Sequence, residues 1–201
     1  MSRSLTRPDR RVDLVGMPET LERWTAAQVR DLPDDGKRYE VVDGELLVTP
    51  APTFDHQEAA FQLARVLQTY VAQRALGHAV MSPADIELDP TTLVQPDVFV
   101  VPLEAGRRPK QWADIRELLL AVEILSPSTA RADRTVKRRR YQRAEVPEYW
   151  IVDLDARLVE RWKPGDERPE VLAERLDWQP GGDHPPFEMD LPDFFREVLD
   201  Q

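Results

Sequence analysis

Apolar residues recur along the chain at two spacings. Between Asp55 and Leu76 they fall at Ala60, Leu63, Ala64, Leu67 and Val71, the stripe of a helix with one face on a core, and Gly77 is its expected stop. Elsewhere the apolar segments are short. Tyr39 to Val42 and Glu45 to Val48 flank Asp43-Gly44, a pair that accepts the positive φ angles of a two-residue turn, so an antiparallel hairpin is predicted there. Residues 78–88 and 94–101 read as strands, the second apolar on both faces after Pro96 and therefore central. Leu118 to Leu125 is a near-continuous apolar segment, and Glu148 to Asp153 is another, paired through Asp155-Ala156 with Leu158 to Trp162.

Three further helices complete the pattern. Thr25 can cap a short one through Ala26, Ala27 and Val29, ended by Pro33 and the Asp34-Asp35-Gly36 turn. A second runs over residues 130–144, stopping before Pro147, and Pro192 opens a last one over Leu191 to Leu199, after a stretch predicted to be irregular. The order α, ββ, α, β, β, β, α, β, β, α, with no internal repeat, predicts an α/β fold whose mixed central β-sheet is flanked by helices. Residues 1–17 are polar, Arg-rich and aperiodic and read as a flexible tail, leaving 18–201 as a single domain.

Composition narrows the classes. The 201 residues suit one core, which commonly organises about 100 to 200 residues. No apolar run approaches the roughly 18 residues of a membrane span, and the basic start MSRSLTRPDRR leads into no apolar secretory core, so a cytoplasmic protein without membrane association is expected. There is no cysteine, which excludes disulfides, thiolate metal sites and a cysteine nucleophile. The net charge of −10 is opposite to that of a phosphate-binding surface, but seven of the 27 basic residues lie between Arg131 and Arg143, a window with one acid, Asp133. That run is either a solvated helix face or a phosphate-facing surface.

Chemistry concentrates in two acids and a lysine. Glu123 interrupts LLLAVEIL, where a carboxylate must be paired, protonated or metal-bound, because burying it alone costs several kcal/mol, roughly. Asp97 stands at the head of an apolar strand directly after Pro96. Carboxylates on neighbouring strands form a hard oxygen site suited to Mg²⁺, which takes one or two carboxylates and keeps several waters. Acids at strand ends are also commonly just exposed. On the 130–144 helix, steps of about 100° place Ala132, Val136, Tyr141 and Ala144 on one arc that includes Lys137. An inward lysine needs an acidic partner: Glu123, or Asp133 one turn earlier in a purely structural pair. Tyr141 and Tyr149 read as core aromatics with satisfied hydroxyls, and Ser126 and Ser128 as turn and capping residues.

QPDVFVV, LAVEILSPST, the Asp133, Lys137, Tyr141 spacing and VPEYWIVD, preceded by DDGKRYEVVDGEL and a helix led by His56, resemble the Uma-two endonuclease family from about Thr25 to Trp162. The resemblance implies the PD-(D/E)XK, restriction endonuclease-like fold and a divalent-metal nuclease site. By it Asp97 is the PD aspartate and Glu123 the acid of the E-x-K element, while Leu125 stands where the pattern has lysine and Lys137 takes the migrated position. Glu40 becomes a further site acid, or else a solvent-facing hairpin residue; His56 becomes a phosphate or water contact, or else an exposed helix-start residue.

The resulting expectation is an Mg²⁺-dependent (or Mn²⁺-dependent) endonuclease acting on nucleic acid, with DNA as substrate. Asp97, Glu123 and the Ile124 carbonyl would hold the metal, and Lys137 would act electrostatically. Arg134, Arg138 and Arg140 would contact the nucleic-acid backbone, and a homodimer would address two strands. The competing expectation is a degenerate member of the fold that binds nucleic acid or a protein without cutting. A carboxylate-pair glycosidase is disfavoured by the lack of an aromatic platform.

Overall fold

The computed structural model describes residues 23–200, so the tail expected over 1–17 lies outside the described residues. Helix α1 (Ala26–Arg30) begins at Thr25, whose hydroxyl accepts from the Gln28 N–H while the Gln28 side chain accepts from the Thr25 N–H. Strands β1 (Arg38–Val42) and β2 (Glu45–Thr49) form the expected hairpin, turning on Asp43 and Gly44 at φ 52° and 85°. Helix α2 (Phe54–Gln73) buries Ala59, Ala60, Leu63, Leu67, Tyr70 and Val71. Its end departs from expectation: Ala75 adopts the left-handed conformation, and Gly77 instead opens β3 (Gly77–Met81). Glycine is required there because a Cβ would lie 2.5 Å from the Val101 carbonyl oxygen.

Each strand expected over 78–88 and 94–101 proves to be two. Strands β3 and β6 (Val98–Pro102) pair with each other, whereas β4 (Ile86–Asp89) and β5 (Thr92–Val94) join β1 and β2 in a separate antiparallel sheet ordered β2-β1-β5-β4. The chain changes sheet at Ser82-Pro83 and again at Gln95-Pro96, where proline supplies no ladder N–H. The two crossings are tied together: the Ser82 hydroxyl donates to the Pro96 carbonyl and the Ser82 N–H to that of Asp97. Asp97 is thereby fixed between the sheets.

The larger sheet has the order β10-β9-β8-β7-β6-β3, completed by β7 (Leu120–Ile124), β8 (Tyr149–Asp153), β9 (Leu158–Trp162) and β10 (Glu170–Leu172). Only β7 and β8 are parallel, so the sheet is mixed, as expected. Their crossover is helix α3, α-helical over Ala130–Ala132 and Arg138–Arg143 and π-helical over Asp133–Lys137. The stretch expected to be irregular contains β10 and a hairpin of β11 (Arg175–Trp178) and β12 (Phe187–Asp190) before helix α4 (Leu191–Leu199), which Asp190 caps and Pro192 opens.

Alternation along the strands sorts the two faces. Val98, Val100, Leu120, Val122, Trp150 and Val152 pack beneath α2 and α4. Phe99, Ala121, Tyr149 and Ile151 pack on the opposite face with Tyr141 of α3 and Ile86 of β4. Each large side chain buried this way contributes about 1.5–3 kcal/mol. Asp97 and Glu123 share the alternation of Phe99 and Ala121, so both acids fall on the face covered by α3.

Candidate active site

Strands β6 and β7 pair antiparallel with Val98 opposite Val122 and Phe99 opposite Ala121. Extending that register by one residue sets Asp97 opposite Glu123, where facing Cβ atoms are about 4.5–5.5 Å apart. Both acids are buried, and both line one cavity of about 210 Å³ with Arg38, Glu40, His56 and Lys137. Ile124 lines the same cavity, and its backbone N–H donates to Asp97 Oδ2 at 2.8 Å. Asp97 is held from three sides, since Arg38 Nη1 donates to Oδ1 at 2.7 Å and His56 Nε2 lies 3.1 Å from Oδ2. Burial would raise its carboxyl, but His56 and then Arg38 outweigh that and hold it at about 2.

Lys137 reaches the cavity from α3. Its ammonium lies 2.8 Å from Glu40 Oε2, 3.0 Å from Glu123 Oε1 and 3.6 Å from Asp133 Oδ1, with a side chain 3% exposed. Burial alone would lower its pKa; Glu123, Glu40 and Asp133 reverse that and hold it well above the ordinary lysine value. Lys137 is a fixed cation. The Tyr141 hydroxyl also donates to Glu123 Oε1, at 3.1 Å, and Glu40 Oε1 accepts the Gln95 N–H at 2.7 Å, anchoring β1 to the crossing before Asp97. Burial pushes Glu123 well above the usual carboxylate range, Lys137 pulls it back, and Asp133, Asp97 and Glu40 add to the rise. Asp133 is pushed up to about 6, chiefly by burial, with Lys137 opposing, and neither of its oxygens has a hydrogen-bond partner among the described residues.

The structure therefore brings Asp97, Glu123, Ile124, Lys137, Glu40 and His56 to one place. Glu40 is buried rather than solvent-facing, and His56 is 8% exposed with its Nδ1 unpartnered among the described residues. Arg38 was missed, though the signal was available: it lies two residues before Glu40 in β1, on the same side of the strand. The basic helix needs correction. Arg140 is buried, donating to Asp89 Oδ2 at 2.5 Å and Thr92 Oγ1 at 3.2 Å, and Arg134 is neutralised by Asp153 at 2.8 Å and Glu160 at 2.7 Å. Those guanidinium groups bind the protein itself and are not presented as a phosphate surface. Arg138 has no acidic partner among the described residues and lies over the Trp162 ring at 4.6 Å.

The donor chemistry fits a hard divalent cation. Four carboxylates, those of Glu40, Asp97, Glu123 and Asp133, are packed around two permanent cations, Arg38 and Lys137, leaving two negative charges uncompensated. Burial drives Glu123 and Asp133 upward and the neighbouring carboxylates add to the rise; a divalent ion bound among them would oppose it. Among the described residues no three His, Asp or Glu side chains form a metal cluster, so the carboxylates of Asp97 and Glu123 would be the side-chain donors, with Ile124 lining the same cavity. A small protein donor set completed by water is the habit of Mg²⁺.

A mixed central sheet flanked by helices is the restriction endonuclease-like architecture. One solved structure, described as "a putative nuclease belonging to DUF820 from Anabaena variabilis ATCC 29413", superposes with a TM-score of 0.68 at 19% identity, covering 88% of this chain and 99% of that one. At that identity the match speaks to the fold. Residues 26–198 match the model of the family described as "Uma2: Putative restriction endonuclease", and the chain belongs to that family. No curated protein shows significant similarity to the chain.

Proposed function

We propose that the protein is a metal-dependent endonuclease that hydrolyses phosphodiester bonds, with DNA as substrate and Mg²⁺ or Mn²⁺ held by Asp97, Glu123 and the Ile124 carbonyl. The observation that carries this reading is the facing pair Asp97 and Glu123 in one cavity, with the Lys137 ammonium bonded to Glu123 at 3.0 Å. When bound, the ion supplies positive charge against the phosphate and acidifies a coordinated water. Lys137 is protonated and so cannot take a proton from that water; it stabilises charge developing on the phosphate oxygens. Glu40 holds the far side of the ammonium and Tyr141 the near oxygen of Glu123, which fixes the lysine without further reorganisation. His56 orients Asp97 through Nε2, and Arg138 is the helix arginine retained as a backbone contact.

One observation favours a second reading, a binder that does not cut: Arg38, His56 and the Ile124 N–H already occupy both oxygens of Asp97, and leucine fills position 125. The deciding assay follows nicking of plasmid and cleavage of single-stranded DNA in Mg²⁺ or Mn²⁺. Wild type should cut, EDTA should abolish cutting, and Glu123→Ala and Lys137→Ala should each lose about a hundred-fold or more, the scale of removing one preorganised charge contact. Equal cutting in EDTA, or full activity in either variant, overturns the assignment.

A further inference from the structure

The acidic balance of the chain leaves open where a polyanion would be gripped, and the answer lies at the other end of the sheet. The segment between β6 and β7 carries Arg107, Arg108, Lys110 and Arg116, all exposed and none in an ion pair among the described residues. On α3, by comparison, Arg134, Arg140 and Arg143 are each bound to acids of the protein, while Arg131, Arg138 and Arg139 have no ion pair among the described residues. Two of these cations, Arg108 and Lys110, border a cavity of about 330 Å³ lined also by His78, Gln111, Trp112 and Ile115, with three apolar residues and no acid among the described residues. The segment also carries Glu104, Asp114 and Glu117, but none of them lines this concavity, which in a chain of net charge −10 presents two cations and, among the described residues, no carboxylate.

The cavity also has an aromatic wall. Trp112 is 47% exposed, yet its ring is held edge-on against the buried Phe99, with centroids 6.4 Å apart and planes at 69°. A short 3₁₀ turn over Trp112–Asp114 fixes its backbone, with Asp114 accepting the N–H groups of Lys110 and Gln111. The carboxylate in the turn is thus spent on the backbone. The half-buried His78 has its pKa lowered by burial and by Arg108, in keeping with positive charge converging on the cavity.

An indole face fixed beside unpaired cations is how proteins hold single strands, by stacking bases and tracking the backbone. We infer that this cavity is an anchoring site for single-stranded nucleic acid, one base lying on Trp112 and the flanking phosphates on Arg108 and Lys110. An acidic peptide would satisfy the cations and leave the indole face unused. The site stands at the Val101 end of β6 while Asp97 precedes the other end, so the strand is held apart from the cutting centre, about 3.3 Å of separation per intervening residue. The inference rests on the nucleic-acid reading of the active site.

The test measures binding without catalysis. Fluorescence anisotropy of labelled oligothymidylate in EDTA is titrated with wild type, Trp112→Ala, the double variant Arg108→Ala/Lys110→Ala, and Glu123→Ala as a site control. Trp112→Ala should weaken binding about ten-fold or more. The double variant should lower the slope of log K against log salt by about 1.4, two phosphate contacts at about 0.7 each for single strands. Glu123→Ala should bind no more weakly than wild type, and binding should quench indole fluorescence in wild type but not in Trp112→Ala. All substituted positions of the cavity are exposed, and circular dichroism confirms that each variant is folded. Unchanged affinity and slope, or no oligothymidylate binding by wild type, overturns the inference even if plasmid is cut. Equal competition by thymidine monophosphate means a free-nucleotide pocket, and equal competition by polyglutamate without quenching means a peptide surface; either result also overturns it. Loss of cutting in Glu123→Ala with binding intact would separate failure of the anchoring site from failure of the nuclease reading.

Discussion

Replacing Lys137 with methionine keeps the length and apolar stem of the side chain and removes only its charge. The ammonium it removes sits 2.8 Å from Glu40, 3.0 Å from Glu123 and 3.6 Å from Asp133, all buried. Breaking a buried pair by deleting one partner costs about 3–5 kcal/mol, because the remaining charge is stranded. For a chain of this size that corresponds to a fall in Tm of about 6–20 °C. The stranded carboxylates can escape part of the cost by taking up protons, which makes the loss depend on pH. Glu123 and Asp133 already have folded pKa values above their ordinary ones, Asp133 at about 6, and without Lys137 both rise further. A carboxyl whose folded pKa exceeds its unfolded value contributes stability below the unfolded value, near about pH 4, and loses it as pH rises through the folded value. Lys137→Met should therefore approach wild type at about pH 5 and fall furthest behind at about pH 8. Urea unfolding in EDTA, read by the fluorescence of the buried Trp150 and Trp178, measures both. Equal midpoints at the two pH values, or a deficit that does not grow with pH, would refute the placement of this ammonium among three carboxylates.

Mg²⁺ or Mn²⁺ at a hundred times its Kd should stabilise wild type by about 2.7 kcal/mol in a thermal melt and do nothing for Asp97→Asn/Glu123→Gln; equal shifts in both would remove the metal from this cavity. Gly77→Ala drives a Cβ into the Val101 carbonyl at 2.5 Å and should cost about 1–3 kcal/mol by urea unfolding, a neutral result disproving the close approach. Arg140→Ala frees Asp89 and Thr92 and should cost about 1–2 kcal/mol while leaving the salt slope of oligonucleotide binding unchanged; a reduced slope would return this arginine to the phosphate surface.

Local features of the sequence predicted the elements more faithfully than their grouping into sheets. The Asp43-Gly44 hairpin, the stripe of α2 and the apolar strands β7 and β8 follow from turn chemistry and periodicity, which act over a few residues. The crossings at Ser82-Pro83 and Gln95-Pro96 looked like breaks within single strands, because what separates β4 and β5 from β3 and β6 is the pairing of β5 with β1, some 50 residues away in sequence, with Val41 facing Leu93 and β4 joined through β5. The β11–β12 hairpin was overlooked for a different reason: its alternation, with Leu176 and Trp178 inside and Arg175 and Asp177 outside, spans only four residues.

The same distinction explains the site. Glu123 and Lys137 were conspicuous because each places a charge where the surrounding apolar period demands burial, and burial of charge is a local contradiction that the sequence displays. Pairing is not local. Arg38 meets Asp97 across 59 residues and Arg140 meets Asp89 across 51, so a run of arginines reads as a free basic face until the fold supplies its acids. Arg107, Arg108 and Lys110 looked like ordinary loop residues, yet in the fold they are among the cations left without acidic partners among the described residues. Density of charge along the chain is therefore a poor guide to where a polyanion docks; what matters is the charge that remains after the protein has satisfied its own acids, and Arg108 and Lys110 beside Trp112 belong to that remainder.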